Sequence, residues 1–200
     1  MTEQKTDELD VHHKTKQSVV WYTTLPFVMH FLRFANSLLL ARILAPSDFG
    51  IIGIITVIMY YSDTFCDFGF SKAIIQRKKV EQAHYFSFFS FNLTISILFF
   101  SVFQLFAPDI AKYFEVPELE AAIQAFTFVL LITAVSSVAM AKLRRELQFK
   151  ALAIIEAVKI FSSMVISLTL ALNGFGFWSL IIAMLASQVI ALIPILIVAR

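Results

Sequence analysis

Five ionisable residues stand inside stretches that are otherwise apolar: Arg33, Asp63, Asp67, Glu156 and Lys159. Each belongs to a polar stripe with helical spacing. Thr23, His30, Arg33 and Ser37 form the first, Gly53, Thr56, Tyr60, Asp63 and Asp67 the second, and Glu156, Lys159, Ser163 and Ser167 the third. Residues three and four apart stack on one side of a helix. A charge at the centre of a bilayer costs about 2.5–3.5 kcal/mol on insertion scales, so these groups must face one another or a water-filled cavity. The three stripes are therefore expected to converge on a common polar interior.

Counting about 1.5 Å per residue places Asp63, Glu156 and Lys159 at similar depth. Arg33 lies further out, with no carboxylate at its own level, and Asp67 lies near the inner surface. Plainer readings stay open. Glu156 and Lys159, three residues apart, can neutralise each other. Asp67 can cap structure beside Gly69, and His30 can be a packing histidine.

The elements that carry these stripes follow from composition. The chain has 200 residues, 59% hydrophobic and 15% charged, with a mean hydropathy of +0.81. Soluble domains are nearer half apolar and a quarter charged. Six apolar stretches are each long enough for a tilted membrane helix, over about 18–41, 48–70, 84–106, 119–141, 151–172 and 175–199. The expected fold is an all-α, polytopic membrane helix bundle behind a disordered tail over 1–17. Pro46, Pro108 and Pro117 fall in expected connections, where a missing N–H does least harm. Asn173-Gly174 is a turn signal, and Pro26 and Pro194 fall inside spans. Ser87, Ser90, Thr94 and Ser101 share a face of the third span, read as a packing stripe of small hydroxyl residues. Trp21 and Tyr22 read as anchors at the inner interface.

Twelve of the 16 Lys and Arg residues fall in the amino-terminal tail, the connections around 72–82 and 142–150, and Arg200. Only Arg42 and Lys112 fall on the other side. The positive-inside rule then puts both termini in the cytoplasm. A net charge of +2 without a basic reading motif gives no sign of nucleic-acid binding. One cysteine, Cys66, permits no intramolecular disulfide. No nucleotide loop, Ser/His/Asp constellation or HExxH pattern appears in the sequence. The reading is therefore of a non-enzyme with no cofactor and no metal site, and any transport would draw on an ion gradient, the membrane potential or the substrate's own gradient.

Four segments carry a resemblance: "LARILAPSDFGIIGI", "DTFCDFGFSKAIIQRK", "KLRRELQFKALA" and "LNGFGFWSLI". The most specific are "LAPSDFG" and "FCDFGFSKAIIQRK". In this order and spacing they resemble the oligosaccharide flippases of bacterial cell-surface polysaccharide assembly, within the multidrug/oligosaccharidyl-lipid/polysaccharide exporter superfamily. The resemblance runs from about Ser18 onward. It implies a multi-pass protein of the inner membrane, built in full from two six-helix lobes that rock about a central cavity. It implies as substrate an undecaprenyl-pyrophosphate-linked oligosaccharide, whose head group crosses while its lipid tail stays among the membrane lipids. On that reading Arg33, Lys159 and His30 are substrate or cavity candidates, since Arg binds pyrophosphate well through charge-assisted hydrogen bonds. Asp63, Asp67 and Glu156 are candidates for ion coupling or for holding the cavity cations.

The family has twelve to fourteen helices in one chain, and this sequence has the length of one lobe. Three explanations stay open: the sequence is a piece of a longer chain, it works with a second six-helix lobe as partner, or it is not a transporter. Polysaccharide synthesis or polymerisation proteins are the other partners the resemblance implies, and the expectation is that the chain does not transport alone. Two alternatives stand beside the flippase: a drug/cation antiporter of the same superfamily, and a non-transporting membrane subunit associated with polysaccharide synthesis. A shorter echo lies within the chain, where "LARILAPSDFG" and "LALNGFGFW" both place Leu-Ala before a turn and Phe-Gly within or after it.

Overall fold

The computed structural model describes residues 27–67, 82–146 and 148–198. The expected tail, the anchors Trp21 and Tyr22, Thr23, Pro26, most of the basic connection around 72–82, and Arg200 lie outside the described residues. Asp63 and Asp67 sit on a described helix, but their side chains are also outside them.

Among the described residues every regular element is an α-helix. In chain order they are α1 (Phe27–Ala41), α2 (Pro46–Asp67), α3 (Gln82–Tyr113), α4 (Glu118–Phe126), α5 (Phe128–Arg145), α6 (Phe149–Leu172) and α7 (Trp178–Val198). Four stretches are long and apolar enough to cross a membrane: His84–Tyr113, Glu118–Arg145, Lys150–Leu172 and Trp178–Ile195. α1 and the Pro46–Ser62 part of α2 are apolar but shorter.

The expected connection at Pro108 is absent. α3 continues past Phe106 and through Pro108 to Tyr113. A proline inside a helix removes one hydrogen bond, and packing overrides that loss here. Ala107 and Ala111 are 0% and 4% exposed and pack with Leu119, Ala122 and Ile123 of α4. Small side chains let the two backbones approach closely. The helix stops beyond Tyr113, where Glu115 takes φ +57 and the Val116 N–H reaches back to the Ala111 carbonyl at 3.1 Å. That is a left-handed helix stop built on a residue other than glycine.

The fourth expected span is two helices, α4 and α5, joined at Thr127. Gln104 of α3 stitches the joint: its Nε2 donates to the Gln124 carbonyl at 2.9 Å and to Thr127 Oγ1 at 3.2 Å. The Thr127 hydroxyl donates to the same carbonyl at 3.0 Å.

The expected packing stripe on α3 is also displaced. Ser87, Thr94 and Ser101 are exposed, and the hydroxyls of Thr94 and Ser101 donate to carbonyls of their own helix. The buried face is one residue round, at Phe88, Asn92 and Ser96. A hydroxyl that returns its hydrogen bond to its own helix carries no net demand for a partner, so Thr94 and Ser101 do not fix the face.

The largest core joins α2 through Ile51, Ile55 and Met59, α3 through its two alanines, all of α4, the start of α5, and Ile181 of α7. α6 and α7 form a hairpin and make the most extensive helix pair among the described residues. The α6 carboxyl end closes as a Schellman motif: Gly174 takes φ +81, and the Gly174 and Phe175 N–H groups donate to the carbonyls of Ala171 and Leu170 at 3.0 and 3.2 Å. This is the turn that Asn173-Gly174 signalled. The other hairpin turn, between α1 and α2, packs against it. Leu40 and Leu44 cluster with Ala171, with Phe49, Leu168 and Leu180 around them. The two segments that echo each other in sequence therefore meet in space.

Candidate functional site

The site is built where α1 lies along α6. Arg33, on α1, forms an ion pair through Nη2 with Glu156 Oε1 on α6. Further along, Asn36 Nδ2 donates to Ser167 Oγ at 3.4 Å, and the Leu40–Leu44–Ala171 cluster follows. Ascending residue numbers on α1 meet ascending numbers on α6, so the two helices run parallel. The polar stripe of α6 thus faces the polar stripe of α1.

The pairing corrects the expected depths. Arg33 does have a carboxylate within reach, and Glu156 is not turned to Lys159. Asn36 marks the level of Ser167, yet Arg33, one turn before Asn36, meets Glu156, three turns before Ser167. Helical side chains lean toward the helix amino terminus, and the long arginine arm closes the remaining offset.

The pair is partly open, with 52% of the Arg33 side chain and 39% of the Glu156 side chain exposed. One contact to Nη2 leaves the rest of the guanidinium, a planar group of five N–H donors, available to another anion. His30 lies one turn before Arg33 and is exposed. Lys159, three residues beyond Glu156 on the same face, is half-buried. Among the described residues Lys159 has no ion-pair partner, and no group of three or more His, Cys, Asp or Glu could hold a metal ion.

On α2 the described part of the stripe is exposed at Gly53, Thr56 and Tyr60, opposite buried Ile51, Ile55 and Met59. The Thr56 hydroxyl donates to the Ile52 carbonyl of its own helix at 2.7 Å. Asp63 and Asp67, at the last turns of α2, have side chains outside the described residues.

Sequence reasoning missed Asn36. It stands beside Ser37 and three residues from Arg33, so the same helical count would have placed it on the stripe. Its Oδ1 is buried without a hydrogen-bond partner, while Ser37 is exposed. Asp48 stands in the first turn of α2. Its Oδ2 accepts from the Ala45 N–H at 3.1 Å, which satisfies a donor at the helix start as the acid of a capping box does.

A charged seam among helices apolar enough to span a membrane sets the context for comparison with known proteins. Residues 39–200 match the polysaccharide biosynthesis protein family. The chain belongs to that family. An uncharacterised membrane protein of the cps region of Klebsiella pneumoniae is 28% identical over 144 residues, covering 72% of this chain and 30% of its own length. The succinoglycan biosynthesis transport protein ExoT of Rhizobium meliloti is 27% identical over 171 residues, 84% of this chain and 34% of its own. The lipopolysaccharide biosynthesis protein WzxC of Escherichia coli is 23% identical over 172 residues, 86% of this chain and 34% of its own. The chain thus spans about a third of the length of these curated relatives. No solved structure matches it. The family match covers all of the seam on α6 but begins at residue 39, after Arg33 and Asn36 on α1.

Proposed function

We propose that this polysaccharide biosynthesis family member is one lobe of an inner-membrane transporter that moves a lipid-pyrophosphate-linked oligosaccharide across the bilayer for cell-surface polysaccharide assembly. The observation that carries this reading is the partly open Arg33–Glu156 pair between α1 and α6. A charge pair is costly to keep among apolar helices, and its exposed guanidinium edge suits a phosphate. The names of ExoT and WzxC, a transport protein and a lipopolysaccharide biosynthesis protein, support the pathway.

In this reading Arg33 supplies positive charge to the head group in a central cavity, with Lys159 behind Glu156 and His30 at the cavity edge. Glu156, Asp63 and Asp67 hold those cations or carry coupling ions. The cavity is completed by a second six-helix lobe, and the concentration of Lys and Arg in one set of loops supports a cytoplasmic position for both ends. Binding and rocking are the work of the protein, with no covalent step.

Deletion of the coding sequence in its own host tests the function. The expected outcome is loss of one surface polysaccharide and accumulation of its lipid-linked repeat unit on the inner leaflet. Restoring the gene with Arg33→Gln should leave the defect largely in place. Normal surface polysaccharide after deletion would sink the reading.

A further inference from the structure

Glu156 stands between two cations, and in this structure it pairs with one of them. Arg33 is across the helix interface and holds it now. Lys159 is three residues on along the same helix face, within reach of an i,i+3 pair, and has no ion-pair partner among the described residues. We propose that Glu156 is a two-position carboxylate: it bridges α1 to α6 through Arg33 in one state, and turns to Lys159 when an anionic head group takes Arg33. This rests on the reading of Arg33 as a phosphate-binding residue.

The argument is one of charge. Arg33, Glu156 and Lys159 together carry one net positive charge, and in the bridged arrangement that charge resides on Lys159. A phosphate taken bidentately by Arg33 sets its own negative charge beside the Glu156 carboxylate. Like charges at contact distance in an apolar setting repel strongly. Transfer of Glu156 to Lys159 removes the repulsion and leaves each of the three side chains with an opposite charge.

The same transfer releases a tie between α1 and α6. What remains of the polar seam is the Asn36–Ser167 contact, long at 3.4 Å, with one buried amide oxygen unmatched. Opening of the pair therefore frees the Arg33 end of α1, while the Leu40–Leu44–Ala171 cluster holds its other end on α6. Head-group binding is thereby coupled to movement of α1 against α6, and Lys159 acts as a positioning residue through Glu156.

The test uses the purified chain in phosphatidylcholine nanodiscs, titrated with farnesyl pyrophosphate and, separately, with inorganic pyrophosphate. Glu156→Gln should tighten binding about tenfold, equal to about 1.4 kcal/mol. Lys159→Gln should weaken binding in the native background and have no effect beside Glu156→Gln, which is the double-mutant signature of action through Glu156. Arg33→Gln should abolish binding in every background. Binding by Glu156→Gln no tighter than native, or an equal loss from Lys159→Gln in both backgrounds, overturns the two-position carboxylate and leaves the phosphate reading standing. Absence of binding by both native chain and Glu156→Gln overturns the phosphate reading, and the switch falls with it. If inorganic pyrophosphate binds as tightly as the farnesyl compound and shows the same pattern, the switch stands and a free anion replaces the lipid-linked one.

Discussion

Gly176 takes φ +53, and a Cβ built on it would lie 3.3 Å from Asp48 Oδ1. One residue thus needs the left-handed backbone of the α6–α7 turn and leaves room for the carboxylate that caps α2. The two hairpin turns are keyed together at this point. Gly176→Ala is expected to cost about 1–2 kcal/mol from the backbone alone, with a further cost because Asp48 must shift. Thermal unfolding in detergent should show a lower Tm, and Asp48→Ala in the same chain should relieve the crowding while leaving the backbone cost.

Glu115 pays the cost that Gly176 avoids. It holds φ +57 at the end of α3 with a side chain in place, a conformation that glycine adopts without penalty. Glu115→Gly should stabilise the chain by about 1 kcal/mol. A Tm unchanged or lowered would mean that the Glu115 side chain makes good the strain.

Arg33 and Glu156 are expected to be energetically coupled. Arg33→Gln and Glu156→Gln should each lower stability, and the double substitution should lower it by less than their sum. Polar contacts between membrane helices measure on the order of 1 kcal/mol in such cycles. Additive losses would place the pair apart in the membrane.

Asn36→Leu should be neutral or stabilising. The change discards a weak contact to Ser167 but also removes a buried oxygen without a partner, and an unmet buried acceptor costs about 1–3 kcal/mol. A clear loss of stability from Asn36→Leu would show that this oxygen is engaged in the membrane.

The class of fold was legible in the sequence because apolar length and helical spacing are local properties. So were the start of α2 to within two residues of 48 and the turn at Asn173-Gly174. Pairing was not local. Arg33 and Glu156 are 123 residues apart, and counting rise along each helix ignores the reach and lean of an arginine. Pro108 misled because its cost is local, whereas the gain from seating Ala107 and Ala111 on α4 is tertiary. The hydroxyl stripe of α3 misled for the converse reason: Thr94 and Ser101 bond to carbonyls of their own helix, and the buried face runs through Phe88, Asn92 and Ser96 instead.

Gln104 ties its own helix to the joint between α4 and α5, and this limits how the sequence can change. The Gln124 carbonyl accepts from both Gln104 and Thr127, and a bilayer interior offers no water to replace either donor. Losing one leaves the carbonyl on a single bond, and losing both strands it. Gln104 and Thr127 therefore back each other at this carbonyl: either can be replaced while the other keeps it paired, and replacement of both leaves it without a side-chain donor.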